Sequence, residues 1–231
     1  MLESLHPNYI ALISAVFTAT AQTLLGKSIG RLSPGMVALI ANIVITIVAT
    51  IFYFLGSGVD EWPLYAVILF AISGVTANFA ARYLMYLAIQ LIGLSRTQVL
   101  FQFSPLWSAL VAISFLGERP SLEVGAGTLL IVGGAILIMG ERKKADSNVK
   151  FIYYLLPILA AFVMATAPSM RKHAFTFIPS ATFGLAVACF VASFLQAAIM
   201  PITERKTEYK MKFGPVLLCI VGGVMNAAAA M

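Results

Sequence analysis

Arg82 is the residue whose chemistry stands out, because it lies well along an apolar run from Trp62 to Ile89. A charge inside such a run is expensive unless it pairs or faces water. Asn78 and Tyr86 stand four residues to either side, on the same helical face. The trio reads as an anchor for an anionic or carboxylate-bearing substrate; the alternative is a side chain that snorkels to a nearby membrane interface. Similar four-residue rows occur at Ser14, Thr18 and Gln22, at Asn42, Thr46 and Thr50, and at Gln98 and Gln102. Interhelical hydrogen bonding, worth about 0.6 kcal/mol per contact, accounts well for the Ser and Thr positions. An amide has four hydrogen-bond sites to satisfy, so for Asn78, Gln98 and Gln102 binding and packing stay open. The candidate substrate-binding set is Gln22, Asn42, Asn78, Arg82, Gln98 and Gln102.

Absences narrow the chemistry further. All nine acids lie in loops or at helix ends, which leaves no deep carboxylate to exchange protons against a cationic substrate. His6 and His173 are solitary, and the sequence carries no Cys cluster, no Walker-type loop and no buried acid pair. No catalytic residue, metal site or cofactor is therefore expected, and the chain does not read as an enzyme. A channel would call for charge rings or a selectivity loop, which the sequence does not display.

The elements that must hold these residues follow from composition. The 231 residues are 61% hydrophobic and 10% charged, with mean hydropathy +0.96, where a soluble domain carries about 25% charged residues. The bilayer is the expected partner, and nucleic acid is not, despite a net charge of +6. Apolar runs long enough to cross fall at about 8–26, 35–55, 62–89, 94–116, 121–140, 151–170, 180–200 and 214–231. Eight transmembrane helices are thus predicted, because lipid offers the backbone no partner. The punctuation between them includes Lys27 to Pro34, Gly117 to Pro120 and Arg171 to Pro179. Ala19-Thr20-Ala21 resembles a signal cleavage site, but the preceding residues carry no Lys or Arg, unlike a signal n-region.

Of the fifteen Lys and Arg, twelve fall on one side of this threading. The positive-inside rule makes that side cytoplasmic and puts the amino terminus outside. Cys189 and Cys219, both in apolar runs, read as buried packing residues. Ladders of small residues, Ala11, Ala15, Ala19 and Thr23 and again Ser73, Ala77 and Ala81, predict close helix contact. Trp62, Tyr65, Tyr153 and Tyr154 sit where interfacial anchors sit, whereas Trp107 reads as lipid-facing or core packing.

The chain also repeats. Ala19-Thr20-Ala21 recurs as Ala165-Thr166-Ala167 at an offset of 146. Gly74, Asn78, Ala80 and Ala81 recur as Gly222, Asn226, Ala228 and Ala229 at an offset of 148. A duplicated five-helix unit inserts its copies in opposite orientations, the inverted-repeat plan of many secondary transporters. The second copy shows three helices, so the expectation is a fragment of a ten-helix protein ending near 288.

Ser104-Pro105-Leu106-Trp107 through Phe115-Leu116-Gly117-Glu118-Arg119, followed by Gly125 and Gly133-Gly134-Ala135-Ile136-Leu137-Ile138, resembles the end of an EamA-type repeat of the drug/metabolite transporter superfamily. The resemblance covers residues 8–140 as one complete repeat and 151–231 as a partial second. It implies an all-α polytopic fold of two inverted five-helix repeats around a central cavity, acting often as a metabolite exporter. Asp60 and Glu61 occupy a loop that is basic in many relatives. Pro105 cannot donate to Phe101, so the fourth span should loosen there, as a hinge or gate or as a packing feature. Gly117 and Glu118 read as a structural turn, the carboxylate meeting the next helix dipole.

The function expected is export of a small polar or zwitterionic metabolite by alternating access. A non-transporting bundle or channel-like pore is the alternative, and the 231-residue chain alone is expected to be inactive. Homo-oligomer formation is left open.

Overall fold

The computed structural model describes residues 7–56, 61–116, 125–130, 132–134, 151–203 and 213–230. Its principal helices are α1 (Pro7–Ser28), α2 (Pro34–Leu55), α3 (Leu64–Ser73), α4 (Arg82–Ile92), α5 (Leu94–Phe101), α6 (Ser104–Leu116), α7 (Leu155–Phe175), α8 (Ala181–Thr203) and α9 (Phe213–Ala230). A π-helical stretch, Gly74–Ala81, joins α3 to α4 without interruption. Among the described residues, six helices are long and apolar enough to span a bilayer: α1, α2, the joined α3–α4, α7, α8 and α9.

Two of the eight expected spans look different. The fourth is broken at Gln102 and Phe103, directly before Pro105, into α5 and α6. Trp107 N–H then donates to the Phe103 carbonyl at 3.2 Å, which starts α6 afresh around the proline. Most of the fifth span lies outside the described residues; 125–130 is helical. The break expected at Arg171 is also absent, since α7 continues to Phe175 and carries Arg171 into the bundle.

Local chemistry sets the helix boundaries. Ser33 accepts from Met36 N–H at 3.1 Å and Pro34 supplies the first turn of α2, a side-chain cap followed by a residue with no N–H to leave unpaired. Gly93 separates α4 from α5 at φ +87°, a conformation that side chains rarely adopt.

Helices pack through small residues, as they must where lipid gives no hydrophobic reward for association. The buried positions are rich in alanine, whereas Phe54, Leu55, Phe194 and Phe213 are exposed. Gly74 lies against the α8 backbone, where an added Cβ would stand 2.7 Å from Ala188 Cα. Gly223 of α9 does the same to α2, 2.9 Å from Val44 Cβ and 3.4 Å from the Ala41 carbonyl. The α1 ladder of Ala11, Ala15, Ala19 and Thr23 is a correction: all four are exposed. Its buried stripe is instead Ala21, Leu25 and Ser28, because α1 packs on α9 far more than on its neighbour α2. The second ladder, Ser73, Ala77 and Ala81, is buried as expected.

Across the bundle, α2 packs on α8 and α9, the α3–α4 span on α7 and α8, and α5 and α6 on α7. Three apolar clusters result, two of them large. One joins Leu25, Leu32, Val37, Ala38, Ala41, Met85, Tyr86, Ile89, Ala160 and Cys219. The other joins Tyr53, Ala66, Phe70, Ala174, Ile178 and Phe183. Between them along the third span lie Ser73, Asn78 and Arg82.

Candidate functional site

Arg82 does not snorkel. Its span, Leu64–Ile92, has 29 residues, about 43 Å at the helical rise, and Arg82 stands roughly 15 Å from the far end. The side chain is 8% exposed and points back toward the helix start, as helical side chains do. Its Nη1 donates to Asn42 Oδ1 at 2.8 Å and its Nη2 to Asn78 Oδ1 at 3.3 Å. Asn42 Nδ2 in turn donates to the Asn78 backbone carbonyl at 3.1 Å.

The π-helical stretch makes that last bond available. In a regular α-helix Arg82 N–H would take the Asn78 carbonyl, four residues back. Here it donates to the Ala77 carbonyl, five residues back, releasing the Asn78 oxygen from that bond for Asn42. Widened turns of this kind recur at functional sites. Asn42, Asn78 and Arg82 thus form one buried network linking α2 to the third span.

The remaining candidates scatter. Gln22 Oε1 and Gln98 Nε2 are buried without a hydrogen-bond partner, on α1 and α5. Gln102 is exposed at the break in the fourth span. Pro105 is exposed in the first turn of α6. Gly117 and Glu118 lie outside the described residues. Of the row hydroxyls, Ser14 bonds across helices as expected, donating to the Ala229 carbonyl of α9 at 2.6 Å, whereas Thr46 donates within α2 to the Asn42 carbonyl at 2.8 Å.

Three groups near the network escaped the sequence reading. Arg171 of α7, half-buried, donates from Nε to Ser73 Oγ at 3.4 Å, while Ser73 donates its own proton to the Phe70 carbonyl. Gln196 of α8 is fully buried with both amide atoms unpartnered. Gly184 lies on the Phe70 ring and Ala188 on Gly74, so α8 runs alongside the third span in the same direction. Cys189 is free and buried like Cys219 and follows Ala188, which lies on Gly74. Tyr86 OH and Asn78 Nδ2 are also buried without partners. Among the described residues the one carboxylate is Glu61, exposed before α3.

A polar, cationic centre sealed in a bundle of lipid-length helices is transporter-like geometry, and comparison with known proteins gives it a family. The model of the EamA-like transporter family matches residues 7–140, more than half of the chain. The chain belongs to the EamA-like transporter family. This EamA-like transporter is accordingly a multi-pass membrane protein of the drug/metabolite type. It is similar to a solved protein crystal structure at 18% identity and TM-score 0.69, over 97% of this chain and 78% of the other, a likeness of fold alone. No curated protein matches it. The Asn42–Asn78–Arg82 network falls wholly within the matched segment.

Proposed function

We propose that this transporter exports a small polar metabolite, zwitterions included, by alternating access. The carrying observation is the buried Asn42–Asn78–Arg82 network held between two apolar clusters. A polar group at depth that is neither lipid-facing nor neutralised is a functional position by default. Each cluster then acts as a seal on one side of the site, and opening them in turn exposes it to either face of the membrane.

Residues 8–140 form the first inverted repeat in this reading and 151–231 belong to the second. The packing pattern supports it: α1 lies on α9 while the third span lies on α7, and α2 lies on α8. That is the reciprocity expected if α7, α8 and α9 are counterparts of the first three spans. On the positive-inside rule, this reading has the amino terminus outside.

Reconstitution into proteoliposomes, with any residues that follow Met231 in the natural reading frame, tests the reading through efflux of a metabolite panel. Arg82→Ala is expected to lower flux of the transported compound by about 100-fold, the loss of a charged hydrogen-bonding anchor being worth roughly 2–3 kcal/mol. Gln102→Ala, at an exposed position, is expected to leave it within about twofold. Flux that survives Arg82→Ala unchanged removes the network from the site.

A further inference from the structure

We propose that the site selects a dianion, a small metabolite with two acidic groups, one held at Arg82 and the other at Arg171. This rests on the transporter reading above and names its substrate class.

Charge provides the first support. Arg82 and Arg171 are both bound to the same stretch of the third span, through Asn78 and Ser73, so they share one interior region. Among the described residues no carboxylate accompanies them, Glu61 being exposed before α3. Asn42 and Asn78 orient Arg82 through their oxygens but carry no charge, and Ser73 does the same for Arg171. Two buried or half-buried cations with no anion beside them among the described residues are costly in a bilayer, and a ligand of charge −2 is the simplest group that would neutralise them.

Donor and acceptor balance is the second. The side-chain oxygens of Asn42 and Asn78 are already occupied by Arg82. On the third span the unpartnered buried groups, Asn78 Nδ2 and Tyr86 OH, can both donate. Carboxylates are acceptor-only and match this inventory. An ammonium group, which only donates, finds little to receive it.

Spacing is the third. Asn78 and Ser73, which hold the two guanidinium groups, are five residues apart on one helix, on the order of 7 Å along its axis. Two separate acidic groups, rather than one, suit that separation. The planar forks of both arginines suit carboxylates in particular.

The test is binding to the purified 231-residue chain in detergent, followed by isothermal titration with succinate, acetate, alanine and choline at fixed ionic strength. Succinate is expected to bind at least about tenfold more tightly than acetate, with alanine and choline weaker than both. Arg171→Gln should abolish the succinate preference while leaving acetate binding within about twofold, and Arg171→Lys should restore part of it. Arg171 has one long contact to Ser73, so its replacement should leave the fold intact; an unchanged melting temperature checks this. Equal affinity for succinate and acetate, tighter binding of alanine or choline, or a preference that survives Arg171→Gln each overturns the proposal. Efflux from proteoliposomes separates this from the transport reading. Alanine flux without succinate binding sinks the dianion and keeps the transporter, whereas succinate binding with no flux of any compound sinks the transporter and keeps the site.

Discussion

The two apolar clusters close the same polar centre with different materials. On the α4 side, Leu25, Leu32, Val37, Met85 and Ile89 interlock with alanines and draw in α1, α2, α4, α7 and α9. On the α3 side the filling is aromatic, from Phe70, Phe183 and Tyr53. Phe183 stacks at 5.4 Å on both Tyr53 and Trp62, and Phe70 lies 5.4 Å from Phe175. A few large rings carried by α2, α3, α7 and α8 close this side; α1 and α9 take no part. The aliphatic side ties together more helices through many small contacts, and the aromatic side depends on individual rings. Removing one ring should therefore open the aromatic side locally, while weakening the aliphatic side means loosening the bundle.

The largest effect is expected where the two sides share an element. Gly74 starts the π-helical stretch between them, and a Cβ there meets the Ala188 backbone rather than a side chain that can turn away. Gly74→Ala should cost about 3 kcal/mol, the upper edge of overpacking, and expose both sides together. Thermal unfolding in detergent reads it, with Gly125→Ala as the control because nothing lies within 4 Å of that position. If both variants melt alike, the third span does not depend on this contact.

The difference between the sides is next in size, and the two cysteines of the chain report on it. Cys219 belongs to the aliphatic cluster, and Cys189, packed with Ile45 and Ala227, follows Ala188, which lies on Gly74. With the other cysteine replaced by alanine, Phe70→Ala should speed maleimide labelling of Cys189 roughly tenfold, corresponding to about 1.4 kcal/mol of easier opening. That is a fraction of the roughly 3–5 kcal/mol a buried Phe→Ala change can cost. Leu25→Ala should raise labelling of Cys219 instead and lower the melting temperature more than it changes Cys189. Equal acceleration of both cysteines by either variant would erase the distinction between the sides.

How much of this was legible follows from the signals that existed. Arg82 was conspicuous because a lone charge interrupts a long apolar run, and Asn78 and Tyr86 followed from its four-residue row. Asn42 was found the same way on α2. Arg171 was hidden by its neighbours: Arg171-Lys172-His173 reads as the polar end of a span, yet α7 continues to Phe175. Gln196 has no polar residue four positions away, so no row marked it; a lone amide in an apolar helix was the signal available. The α1 ladder misled because alanines occupy several faces of that helix, and α9, rather than α1's own spacing, decides which is buried. No signal within Gly74 to Ala81 announced the π-helical turn. The break in the fourth span, by contrast, was written in Pro105.

The smallest expected effect bears on why α1 and α9 join one side and not the other. Ser28, fully buried, donates to the Pro215 carbonyl of α9 at 3.2 Å, beside the aliphatic cluster. Ser14, fourteen residues earlier on the same helix, donates to the Ala229 carbonyl at 2.6 Å, at the other end of the pair. A bond between membrane helices is worth about 0.6 kcal/mol on average, so Ser28→Ala and Ser14→Ala should each lower the melting temperature by roughly 1–2 °C. Their consequences for the cysteines should differ. Loosening the Ser28 end frees α9 where Cys219 packs, whereas the Ser14 end touches neither cluster, so Ser28→Ala should raise Cys219 labelling slightly and Ser14→Ala should leave it unchanged. An equal rise in both variants would mean that the α1–α9 pair moves as one rigid unit, and the aliphatic side would then be held by α2, α4 and α7 alone.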